Sequence, residues 1–263
     1  MAPSHKDTPT MWHPLMCYAS SSHPGLLMRS VFSFVLPCCI VLLFASCGVP
    51  FQASPPVSQN HGNSGQIAYA AIGASDTFGI GTDDPYHDNW ASDLAGWLGP
   101  RYHLVNLGIP AITLHRALTA ELPVALDAHP GLVTIWLAVN DIIAQVPVTS
   151  YQQDLNTMLT RLQAASPQTR IAVANVPDLT LLPYFQDQQG FDTKQLSAQI
   201  QAYNAAIATV VGQHRVILVD LSQHAYDIQQ HPEYVSQDGL HPTMAGYEQL
   251  ALLFYQALQK TAN

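Results

Sequence analysis

An α/β protein, built as a three-layer α/β/α sandwich on a parallel sheet, is predicted by two sequence patterns and the way they alternate. Five short runs are almost uniformly apolar, the pattern of strands buried on both faces. Longer segments among them carry apolar residues at three- and four-residue spacing, as helices laid against a sheet do. Strands alternating with helices are joined by right-handed crossovers, which makes neighbouring strands parallel and covers both faces of the sheet.

The first strand is expected at residues 67–72 (IAYAAI), the second at 103–107 (HLVNL) and the third at 132–137 (LVTIWL). The fourth follows at 170–176 (RIAVANV) and the fifth at 215–221 (RVILVDL). Between the third and fourth, Tyr151, Leu155, Met158, Leu159 and Leu162 form a helical stripe. Leu196, Ile200, Tyr203, Ile207 and Val211 form another before the fifth strand, and Met244, Tyr247, Leu250, Phe254 and Leu258 a third after it. In such a sandwich a ligand binds beyond the carboxyl ends of the strands.

Composition agrees with one large folded domain preceded by a processing segment. Of the 263 residues 48% are hydrophobic and only 10% charged, which excludes a disordered polyelectrolyte. Nine Lys and Arg against 18 Asp and Glu give a net charge of -9, so no broad cationic surface exists for nucleic acid. Arg29 precedes an uncharged apolar run at residues 31–45 (VFSFVLPCCIVLLFA), too short and too broken by Pro37 for a spanning helix, and this predicts an export signal over residues 1–47. Met28-Arg29 makes a natural beginning for that signal, so translation is expected to start at Met28. Phe44-Ala45-Ser46-Cys47 resembles a bacterial lipobox, which implies lipidation of Cys47 and a place on the outer face of the cell membrane; a plain secretory signal is the alternative. Residues 48–65, rich in Pro, Ser, Gln, Asn and Gly, read as a flexible tether to a domain at 66–263. All four cysteines (Cys17, Cys38, Cys39, Cys47) precede that domain, which therefore holds neither a disulfide nor a thiol nucleophile.

Three segments carry candidate chemistry, each with an ordinary reading beside it. Ser75, in Gly73-Ala74-Ser75-Asp76-Thr77, follows the first strand where a nucleophile would stand, although Gly, Ser and Asp also make common turns. Asp238-Gly239-Leu240-His241-Pro242 sets a carboxylate and an imidazole three residues apart before the last stripe. A serine hydroxyl needs a general base, and the base needs a group to fix its tautomer; His241 and Asp238 can supply both, or form only a surface turn. Asn140, just beyond the third strand, can offer its amide to an oxyanion or cap a helix, and Gly108, beyond the second, can offer a backbone N–H or a left-handed turn. All of them fall on one edge of the sheet, so a single site accounts for the set. Gly79-Ile80-Gly81 is not completed as a dinucleotide fingerprint, and Asp76, Asp83 and Asp84 in that loop oppose a phosphate. The remaining histidines show no metal-ligand spacing.

The ordered set Ser75, Gly108, Asn140 and His241, closing on Asp238-Gly239-Leu240-His241-Pro242, resembles the SGNH hydrolase superfamily of GDSL-type lipases and esterases over about residues 67–258. That resemblance implies a flavodoxin-like fold with a five-stranded parallel sheet. It further implies a serine ester hydrolase with Ser75 as nucleophile, His241 as base and Asp238 as its orienter. The implied oxyanion hole is the Ser75 N–H, the Gly108 N–H and the Asn140 amide; no cofactor or metal is implied, and the partner is a lipid, carbohydrate or small-molecule ester. Two positions depart from the family pattern: Ala74 stands where Gly-Asp-Ser has its acid, and Ala138 where Gly-x-Asn-Asp has its glycine. The same fold without turnover, as a surface lipoprotein binding a glycan or lipid, is the competing expectation. Residues 178–191, with Leu181, Leu182, Tyr184 and Phe185, are expected either to wall an acyl site or to cap the core.

Overall fold

Five parallel strands in the order β2-β1-β3-β4-β5 form the middle layer of the molecule. The structure, a computed structural model, describes residues 65–187 and 192–260. The expected export signal, Cys47 and the tether lie outside the described residues, apart from Gly65. In chain order the elements are β1 (Ile67–Gly73), α1 (Ser75–Phe78), α2 (Trp90–Leu98), β2 (Tyr102–Asn106), α3 (Leu114–Ala120), α4 (Leu122–Asp127) and β3 (Leu132–Trp136). They continue with α5 (Val139–Ile143), α6 (Val148–Ala165), β4 (Arg170–Ala174), α7 (Pro183–Asp187), α8 (Thr193–His214), β5 (Ile217–Val219), α9 (Ala225–Gln230) and α10 (Met244–Lys260).

Because successive side chains on a strand point to opposite faces, the sheet feeds two cores. Ala70, Ile72, Val133, Ile135, Ile171 and Val173 face α3, α6 and α8, meeting Leu114, Leu155, Met158 and Ile207 among others. Tyr69, Ala71, Leu132, Trp136, Ala172, Ala174 and Val219 face α2 and α10. There Trp90 stacks on Phe254 with ring centroids 4.2 Å apart. The strand order puts β1 at the point where the sheet changes direction of growth, pairing with β2 on one side and β3 on the other. Loops leaving the carboxyl ends of such neighbours diverge and open a crevice.

Several details differ from the periodicity alone. β5 is three residues long, because Arg215 caps α8 in a left-handed conformation (φ 54°) and cannot begin a strand. Met244, placed on the last apolar stripe, is 61% exposed; α10 instead approaches the Tyr234 carbonyl through Gly246, which turns Met244 outward. α2 and the α3–α4 pair cover the sheet in segments of at most nine residues, too short to show a stripe. Among the described residues, no helix is long and apolar enough to cross a membrane.

Candidate functional site

Ser75 opens α1 one residue beyond β1. The turn is closed by the Phe78 N–H on the Ala74 carbonyl (3.0 Å) and the Gly79 N–H on the Ser75 carbonyl (2.9 Å). As the first residue of a helix, Ser75 keeps its own N–H outside the helical bonding pattern.

The Asp238–His241 turn is drawn tight by the Ser236 N–H on the His241 carbonyl (2.8 Å) and the Gly239 N–H on the Ser236 carbonyl (3.0 Å). Asp238 Oδ1 accepts from the Ser236 hydroxyl (2.8 Å) and from the backbone N–H groups of Leu240 (2.8 Å) and His241 (2.9 Å). Its Oδ2 lies 2.6 Å from His241 Nδ1. Partial burial would raise this carboxyl, but the hydrogen bonds from His241, Leu240 and Ser236 outweigh it and hold the group at about 2. The carboxylate is thus ionised across the neutral range, and the imidazole, 14% exposed, is oriented by it.

Loop 79–82 backs this turn. Gly81, at φ 104°, lies so close to the Pro242 carbonyl and His241 Cβ that a side chain there would collide with them. The Tyr247 hydroxyl donates to the Ile80 carbonyl (2.6 Å), tying the same loop to α10. Gly79-Ile80-Gly81, which fails as a nucleotide motif, is therefore the joint between the serine loop and the histidine turn.

Asn140 is the second residue of α5, so it is not the helix cap; Ala138 occupies that place with φ 139°. A glycine adopts this conformation without the strain it imposes on an L-residue. The Asn140 amide donates one hydrogen to the Ile112 carbonyl (3.0 Å). Beside it, buried Asp141 receives the Leu114 N–H on both oxygens (3.3 and 3.1 Å) and so fixes the start of α3. Burial lifts the Asp141 carboxyl to about 6 despite that bond.

Gly108 is held differently from its expected role. Its N–H donates to Asn106 Oδ1 (3.0 Å), while Asn106 Nδ2 donates to the Thr77 carbonyl (2.7 Å). The missing side chain lets this strand end lie against the backbone of Ala74, Thr77 and Phe78. Nor does Gly108 have the positive φ of a left-handed turn; that conformation belongs to Ala111 (φ 61°), whose N–H makes no hydrogen bond among the described residues.

The burial of two further acids escapes sequence reasoning, because a buried carboxylate and a surface one look alike in a sequence. Glu121, 1% exposed between α3 and α4, reaches the Gly73 N–H (3.5 Å) from below, and its Oε2 is unpartnered. Burial pushes it up to about 8, against hydrogen bonds from the Gly73 and Ile109 amides. Asp76, beside the serine, is pushed up to about 6 by burial, an effect that the nearby His241 opposes.

Ser75, Asp76, Asn140 and His241 share the wall of one cleft, open to solvent at the carboxyl ends of the strands. Within residues 178–187, Leu182 lines the cleft while Phe185 is buried in the core. The Tyr184 N–H also donates to the Gly239 carbonyl (3.0 Å), joining this wall to the histidine turn. Among the described residues no group of His, Cys, Asp and Glu is arranged to hold a metal ion.

The model of the GDSL-like lipase/acylhydrolase family matches residues 71–249. The chain belongs to this family. It is accordingly a carboxylic ester hydrolase of the SGNH superfamily. No curated protein matches the chain. Among solved structures, it is similar to the psychrotrophic esterase EstA from Pseudoalteromonas sp., with TM-score 0.60 and 17% identity over 75% of this chain and 100% of that one. TesA is similar with TM-score 0.59 and 22% identity over 73% and 98%. A catalytic mutant of Axe2, an acetylxylan esterase from Geobacillus stearothermophilus, gives TM-score 0.60 and 16% identity over 73% and 94%. At these identities the likeness is one of fold. The GDSL hydrolase thus has its serine, asparagine and histidine segments where the sheet's crevice lies.

Proposed function

We propose that Ser75, His241 and Asp238 form a catalytic triad that cleaves esters through an acyl-enzyme. The observation that carries this reading is the 2.6 Å contact between His241 Nδ1 and Asp238 Oδ2, made by an imidazole that shares a cleft wall with Ser75. An Nδ1–H given to a carboxylate leaves Nε2 as the acceptor that a general base needs. Ser75 Oγ attacks the ester carbonyl while His241 Nε2 takes its proton; the tetrahedral intermediate then collapses and His241 returns the proton to the departing alcohol. Water, deprotonated by the same imidazole, attacks the acyl-serine, releasing the acid and restoring the hydroxyl.

The negative charge on the former carbonyl oxygen needs fixed donors. The Ser75 N–H and the second amide hydrogen of Asn140 serve, the first amide hydrogen being engaged by Ile112. For the third donor this reading moves from Gly108, whose N–H is taken by Asn106, to Ala111, whose unbonded N–H precedes Ile112.

The experiment is hydrolysis of p-nitrophenyl esters and labelling by a fluorophosphonate probe, wild type beside Ser75→Ala. Both activities are expected to vanish in the variant. Labelling that survives Ser75→Ala overturns the assignment of the nucleophile, and a folded wild type that neither hydrolyses nor labels favours a binding protein on the same fold.

We also infer export and anchoring through a lipidated Cys47, on the strength of the arginine-led apolar run that ends at Ala45-Ser46-Cys47. Mass spectrometry of membrane-extracted protein should find a lipid-modified Cys47 at the N-terminus; an unmodified, secreted protein would refute the anchor.

A further inference from the structure

Away from Ser75, the cleft wall has a consistent chemistry. Leu179 and Leu182 come from the segment after β4, Leu221 and Ile228 from the segment after β5, and Leu250 and Leu253 from α10, and together they make a broad apolar face. Two carboxylates stand in the same cleft, Asp76 beside the serine and Asp227 on α9. Asp227 Oδ2 is fixed by His224 Nδ1 (3.0 Å) and by the Gln249 Nε2 amide, which donates to it (3.2 Å). That arrangement leaves Oδ1 without a partner among the described residues. No Lys or Arg side chain lines the cleft among the described residues.

We propose that this cleft selects neutral esters with an extended apolar acyl chain and discriminates against chains that carry a negative charge. The proposal rests on the ester-hydrolase reading of Ser75 and His241 and specifies what that site accepts. An acyl chain running along the leucines leaves water, and each buried methylene is worth a factor of roughly four in binding. A charge on the chain loses its hydration there whatever its sign. A cation recovers part of that loss from Asp76 and Asp227, and both of these carboxylates repel an anion. The order that follows is neutral, then cationic, then anionic, and the comparison of the two charged chains isolates the sign of the field from the cost of desolvation.

The test uses p-nitrophenyl esters, which share one leaving group: acetate, octanoate, and octanoates ending in a carboxylate or a trimethylammonium group. Wild-type kcat/KM is expected to be at least about tenfold higher for octanoate than acetate, and at least about tenfold higher for the cationic than the anionic chain. Asp227→Asn, which keeps the shape of the side chain, should narrow the cation-to-anion ratio by at least about threefold. Acetate turned over as well as octanoate, or the anionic chain as well as the cationic one, overturns the proposal. Binding of the same esters to Ser75→Ala, followed by calorimetry, reads the selectivity without turnover. Hydrolysis without the expected order defeats the selectivity and leaves the hydrolase reading intact; the expected binding order in a protein whose wild type hydrolyses nothing does the reverse.

Discussion

Glu121 and Asp238 are both carboxylates within reach of the serine and histidine loops, and their surroundings drive them in opposite directions. Asp238, held at about 2 by His241 and two backbone amides, exists to be charged. Glu121, pushed by burial up to about 8 from an ordinary 4.5, is protonated in the folded protein at neutral pH. An unfolded chain would ionise it near 4.5, so this acid weakens folding progressively as pH rises from about 4.5 to about 8. Glu121→Gln removes that dependence. Thermal denaturation at pH 5 and pH 8 should therefore show a smaller drop in Tm for Glu121→Gln than for wild type, and an equal drop would mean that Glu121 is ionised when buried. At the proposed oxyanion hole, Asn140→Ala should lower kcat roughly 100- to 1000-fold while the protein stays folded, the usual cost of one such donor; a variant with wild-type kcat would remove Asn140 from the reaction. Ala138 holds a φ of 139° that costs an L-residue on the order of 1–3 kcal/mol. Ala138→Gly should consequently raise stability in chemical denaturation, by an amount less than that strain because glycine adds freedom to the unfolded chain.

At the scale of elements, the serine loop and the histidine turn work as one unit because loop 79–82 packs between them. Adding a methyl group at Gly81 strains a φ of 104° and presses on His241 Cβ and the Pro242 carbonyl. Gly81→Ala is expected to reduce kcat/KM at least about tenfold with a smaller effect on Tm, since the displaced group is His241, the base of the proposed triad. This joint marks the limit of what could be read beforehand. Each strand was legible because burial on both faces writes an uninterrupted apolar run, and α6 and α8 because four or more turns repeat their stripe. Ser75, Asn140 and His241 were legible because chain order and strand ends place them on one edge. The hydrogen bond that occupies Gly108, the left-handed turn at Ala111 and the burial of Glu121 depend on how separate loops meet, which no local pattern records. β5 was overextended for a related reason: Arg215 belongs to the end of α8, and only the backbone shows where that helix stops.

Over the whole molecule, one sheet serves two cores, so neither core stands without it. Trp90, fully buried against Phe254 and Trp136, fills much of the face under α2 and α10. Trp90→Ala should cost about 3–5 kcal/mol in urea denaturation. Met158→Ala, on the opposite face under α6, should cost about 2–5 kcal/mol. In both variants near- and far-ultraviolet signals are expected to change together, whereas separate transitions would show that the two layers melt independently. The tie between Tyr247 on α10 and Ile80, just beyond the serine loop, carries a consequence for synthesis. During translation the serine leaves the ribosome long before the histidine turn and the helix that seats it. Every earlier strand can pair before His241 is present, so the proposed triad stays incomplete in the nascent chain. With His241 as the proposed base, turnover begins only when the last helix docks, which makes ester cleavage itself a reporter of completed folding.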